Sequence, residues 1–173
     1  MKKLGNNKGF TLVELLAVIV VLAIVMGIAA VAITNVLDST RKNAYVASAK
    51  QFIAGAKSLV NAEEVEIMLG GTGVTTKYTP KCVANSTDVT FAISEIRTEG
   101  GASDKTPYGT VIDKANSKVT VHAVYDAGTG TCTYQYSIYM IDVDGVYSIS
   151  TSDNKAVLET DLSSANVRVI QGS

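Results

Sequence analysis

Few side chains in this chain have a type and spacing that could do chemistry. Thr11 and Glu14 stand three apart, the spacing at which a hydroxyl and a carboxylate cap a helix N-terminus reciprocally. Glu14 is also the only charge between Phe10 and Ile33, in a run otherwise built from Val, Ile, Leu, Ala, Met, Gly and one Thr. A carboxylate in a segment headed for lipid costs roughly 2.5–3.5 kcal/mol at the bilayer centre, so Glu14 is a functional candidate by default. Two cysteines, Cys82 and Cys132, can form a disulfide or stay as buried thiols. A cysteine and the single histidine, His122, could make a nucleophile–base pair. However, the cysteines are better used with each other, and His122 falls on the mixed face of an alternating segment, which reads as surface. Asp142-Val143-Asp144-Gly145 starts like a calcium loop but lacks the later ligands, so a hairpin turn is the better reading. Gly70-Gly71-Thr72-Gly73 is followed by no Gly-Lys-Ser/Thr and reads as a turn, not a phosphate loop. No cluster has metal-ligand spacing. The tyrosines at 125, 134, 136, 139 and 147 read as sheet packing. Neither catalysis nor a cofactor is expected.

The elements that position these residues follow from hydropathy. Leu15–Ile33 is an uninterrupted apolar stretch of 19 residues. As a helix it is roughly 29 Å long, the thickness of a hydrocarbon core. Lys2, Lys3 and Lys8 precede it. The positive-inside rule therefore keeps the N-terminus cytoplasmic and exports the chain after about Asn35. Export favours the disulfide between Cys82 and Cys132, which for a loop of about 50 residues contributes about 4 kcal/mol.

No proline occurs before Pro80, and residues 10–62 read as one long helix. Beyond Asn35 the apolar residues Tyr45, Ala49, Phe52, Ile53, Ala56, Leu59 and Val60 recur at three- and four-residue steps, an amphipathic stripe laid on a core. Glu63, Glu64 and Glu66 oppose the dipole at a helix C-terminus, so fraying is expected after Ala62. From Val74 the chain turns β-rich. Lys118–Tyr125 and Thr131–Ile141 alternate, with hairpins expected at Asp126–Thr131 and Asp144-Gly145 and a return strand over Val146–Ser150. Asp88–Arg97 reads equally as helix or strand, Thr98–Gly109 as loop, and Val167–Ile170 as an edge strand. The expected class is α+β: a long N-terminal helix, half apolar anchor and half amphipathic, packed on an antiparallel sheet.

Gly9-Phe10-Thr11-Leu12-Val13-Glu14, with a basic leader before it and an apolar helix after it, resembles the class III signal of type IV prepilins. The resemblance is close over roughly the first 35 residues and otherwise one of layout. It implies a leader over 1–9, a transmembrane and filament-core helix over 10–35, an amphipathic helix over 36–62 and a β-rich head over 63–173. It implies cleavage between Gly9 and Phe10 by a membrane-embedded prepilin peptidase, N-methylation of Phe10, and a Glu14 that meets the terminal amine of a neighbouring subunit during assembly. The implied partners are membrane lipid before assembly, the pilus assembly machinery, and other copies of the chain and related pilins in a helical filament. The implied location is first the cytoplasmic membrane, crossed once, and then the cell surface as a pilus, its role open among adhesion, motility, DNA uptake and secretion. Many relatives carry a proline where this chain has Val31. The cysteine pair is also wider than the short C-terminal loop common in Gram-negative pilins.

Three other readings compete. A pseudopilin of a type II secretion or DNA-uptake machine shares the motif. An ordinary secretory signal is suggested by Ala30-Val31-Ala32, although the apolar run is longer than the usual 7–15 residues. An enzyme is the weakest class. Without residues 1–9 the chain holds 12 basic and 16 acidic residues, which argues against a broad nucleic-acid footprint.

Overall fold

A computed structural model describes residues 11–70, 76–96, 105 and 111–170. The chain divides into two compact units, residues 1–40 and 41–173. A single helix, α1, runs Leu12–Met68 and contributes to both.

In the first unit α1 is unbroken through Gly27, Ala30 and Ala32. Many of its residues are β-branched, which weakens a helix in water. In lipid the same sequence stays helical because every backbone polar group must be satisfied within the segment. No proline is present to remove a bond.

In the second unit α1 buries Tyr45, Val46, Ala49, Phe52, Ile53, Ala56 and Val60 along one face. They pack against Phe91, Val119, Val121, Tyr136, Ile138, Met140 and Ile149 of a sheet. Ala49 and Ala56 are fully buried, and their small side chains let the helix backbone lie close to the sheet. The strands are β1 (Val89–Ala92), β2 (Lys118–Asp126), β3 (Thr131–Ile141), β4 (Tyr147–Ile149), β5 (Val157–Leu158) and β6 (Val167–Val169). Pairing is antiparallel throughout, in the order β1-β2-β3-β4-β6, with β5 also on β3. The β2–β3 register sets Val119 opposite Ile138 and Val121 opposite Tyr136, so the apolar sets of both strands share the helix-facing side. The molecule is α+β, with β6 as an edge strand.

Three expectations meet a different outcome. The first is fraying after Ala62: the helix instead continues to Met68. Glu63 does not oppose the helix end, because its carboxylate is occupied by the returning chain. It accepts the amides of Lys77, Tyr78 and Thr79 at 2.8–2.9 Å and the Thr79 hydroxyl at 2.8 Å. The helix ends where Gly70 adopts φ +76°, the left-handed conformation that favours glycine at a helix C-terminus. The second is the ambiguous Asp88–Arg97 segment, which is both elements in turn: β1, then a 3-10 turn over Ile93–Glu95. The third concerns Val157–Leu158, unassigned in the sequence, which adds a two-residue strand to β3. The expected loop Thr98–Gly109 lies outside the described residues except for Lys105, which bridges Val111.

Burial of Glu63 opposes its ionisation, but four donors outweigh that and hold its carboxyl below the usual range. A depressed folded-state value contributes stability above the unfolded value of about 4.3 and loses it as pH falls through the folded value. Glu63→Ala is expected to cost the head about 1–3 kcal/mol at neutral pH. Thermal melts of both proteins between pH 7 and 3 check this: the wild-type advantage should narrow below about pH 4. An advantage independent of pH would exclude the carboxylate as its source.

Candidate functional site

The N-terminal end of α1 carries the one polar construction described in the apolar segment. Glu14 Oε2 accepts the Thr11 amide at 2.9 Å and the Thr11 hydroxyl at 3.0 Å, while the Glu14 amide donates to Thr11 Oγ1 at 3.3 Å. This is a capping box: two backbone donors that the helix cannot use are satisfied by the two side chains. Both donors from Thr11 converge on Oε2, and neither uses Oε1. The cap thus holds the carboxylate at the helix terminus, with Thr11 as its donor among the described residues.

The surface that surrounds this carboxylate is apolar. Every side chain described from Leu12 to Leu37 is exposed. An apolar surface of this extent is covered by lipid or by protein in a functioning molecule. α1 is long and apolar enough to cross a membrane. Gly9, Phe10, Lys2, Lys3 and Lys8 lie outside the described residues.

In the second unit Cys82 and Cys132 form a disulfide with Cα atoms 5.8 Å apart, closing a sequence separation of 50. The bond fastens the segment after Thr79 to the start of β3, beside the amides that Glu63 holds. Sequence reasoning missed Glu63. Its partners lie 14–16 residues further on, past a glycine turn, and no local pattern announces such a contact.

The remaining candidates are structural. His122 is exposed on β2 and pairs with Asp88. Asp142 is buried, and its carboxylate accepts the Tyr147 amide at 3.0 Å. Gly145 follows at φ +66°, closing the turn between β3 and β4. Lys57 pairs with Glu159 at 2.6 Å and lies 5.4 Å from the centre of the Tyr136 ring. Burial pushes the Tyr134 and Tyr136 hydroxyls up to about 12, with the charge of Glu64 adding to it, so both rings stay neutral and pack. Tyr45 and Tyr147 stack tilted at 6.1 Å in the core. Among the described residues no group of three or more His, Cys, Asp or Glu side chains could hold a metal.

No curated protein and no solved structure matches the chain. The geometry above is therefore joined to known proteins through its N-terminus. Residues 4–30, which include Thr11, Glu14 and most of the apolar run, match the family model of the prokaryotic N-terminal methylation motif, so the chain carries the class III signal of type IV pilin-like precursors.

Proposed function

We propose that this chain is a structural subunit of a type IV pilus. The observation that carries the reading is the methylation motif over residues 4–30, with an apolar helical stretch to Ile33 whose single carboxylate is held at its N-terminal end. In this reading residues 1–9 are a leader that prepilin peptidase removes between Gly9 and Phe10, and Phe10 is then N-methylated. Residues 10–35 anchor the precursor in the cytoplasmic membrane with its N-terminus inside, and later form the filament core. The amphipathic part, assigned to 36–62 from sequence and extended to Met68 by the helix, carries the head over the remaining residues. Lys2, Lys3 and Lys8 set the orientation. Assembly machinery in the membrane passes the subunit from lipid into a helical array of its own copies and related pilins at the cell surface. The work is assembly.

Gly9→Val tests the processing step. A β-branched residue in a cleft that accepts a small one should block cleavage. The chain should then accumulate at precursor size in the membrane, as read by intact mass. A mature product of normal size would refute the peptidase assignment.

A further inference from the structure

The chain contains one Asn-x-Ser/Thr sequence, Asn85-Ser86-Thr87. Such a triplet is a weak signal alone, because it recurs by chance wherever hydroxyl residues are common. Here the proposed topology and three observations join it. Residues after the apolar segment are exported in the proposed topology, so Asn85 reaches the compartment where glycans are attached. Asn85 and Thr87 are both exposed, on the short segment between the disulfide at Cys82 and the start of β1. Neither the Asn85 side chain nor the Thr87 hydroxyl hydrogen-bonds a described residue; only the Thr87 carbonyl is used, by the Ser86 hydroxyl at 3.4 Å. Asn85 also has φ +62°, a left-handed turn that carries its side chain on a bend rather than along a strand.

We propose that Asn85 is an N-glycosylation acceptor, modified after export by a membrane-bound transferase that uses a lipid-linked oligosaccharide pyrophosphate. In the transfer, a bond forms between Asn85 Nδ2 and C1 of the first sugar. The bond from C1 to the pyrophosphate oxygen breaks and that group leaves with the electron pair. One amide proton is lost, and nothing is oxidised or reduced. The Thr87 hydroxyl, two residues on, is the group the transferase reads. A glycan there would project from the head beside the disulfide-fastened segment. The inference needs export but not filament assembly.

Asn154 provides an internal control. It is also exposed and left-handed, at φ +55°, but Ala156 follows it where a hydroxyl residue would be required.

The test is peptide mass spectrometry on the protein purified from its native host, in four forms. In wild type, the tryptic peptide 82–97 should carry a glycan mass on Asn85, and the peptide with Asn154 should carry none. Asn85→Gln should lose the glycan. Thr87→Val should lose it with Asn85 still present, and Thr87→Ser should keep it. An unmodified Asn85 in wild type, or a glycan that survives Thr87→Val, would overturn the proposal. The N-terminal peptide from the same digest reports leader processing separately, so failure of one reading does not obscure the other.

Discussion

A Glu14→Ala subunit will be made, exported and processed at normal levels, yet its recovery in sheared filaments will fall by a hundredfold or more. The magnitude follows from what the carboxylate leaves behind. In the proposed filament core the amine of Phe10 would be a buried cation, and removing the partner of such a charge costs about 3–5 kcal/mol. That corresponds to roughly two to three and a half powers of ten in an assembly equilibrium, since about 1.4 kcal/mol is tenfold. A second effect of the same substitution must be separated out, because Glu14 also completes the capping box with Thr11. Loss of a cap costs about 1 kcal/mol and weakens the helix end without touching assembly directly. Glu14→Gln divides the two. Glutamine retains an acceptor for the Thr11 amide and so keeps the cap, but it carries no charge. Quantitative blotting of filament and membrane fractions should therefore find Glu14→Gln nearly as defective as Glu14→Ala. Normal incorporation of the Gln variant would reduce Glu14 to a helix cap.

The second large effect is on the head. The paired substitution Cys82→Ser with Cys132→Ser should remove about 4 kcal/mol of stability, a large share of the 5–15 kcal/mol typical of a domain. The melting temperature of the soluble head should fall by roughly 10–20 °C. The physical origin is twofold. Without the bond, the unfolded chain regains the freedom of a loop with a separation of 50 residues. In the folded state, the residues just before Cys82 then keep the Glu63 carboxylate, the Thr79 hydroxyl bond to Val60 and the packing of Tyr78 on Phe91, but lose their covalent tie to β3. The disulfide and the Glu63 carboxylate act on one short segment, so their losses should not add independently. Adding Glu63→Ala to the serine pair, with thermal denaturation as the readout, should give a sum that departs from additivity by 0.5 kcal/mol or more. A serine pair that melts with the wild type would argue that the bond contributes nothing.

What could be read in the residues depended on whether the governing contact was local. The helix was legible because its signals, an unbroken apolar run and then a three- and four-residue stripe with no proline, lie within it. The β2–β3 and β3–β4 hairpins were legible because the strands alternate and glycine turns at Gly130 and Gly145 join them. The end of α1 was not, because three glutamates suggested a stop while the group that stabilises Glu63 arrives from residues 77–79. Val157–Leu158 is too short to show any period and is a strand only because β3 offers it an edge. Lys57–Glu159 and His122–Asp88 are likewise long-range pairs that no spacing rule announces. In the N-terminal segment the Thr11–Glu14 cap was legible from spacing alone. The meaning of Glu14 beyond that cap rests on its setting, one carboxylate in the apolar stretch within a methylation motif.

The most direct measurement is the intact mass and N-terminal sequence of the protein from its native host. A chain that begins at Phe10 and is heavier by one methyl group is the predicted result. A chain that begins after the apolar run, near Ile33, would make this a secreted domain, and an intact Met1 would leave it a membrane protein with no route into a filament.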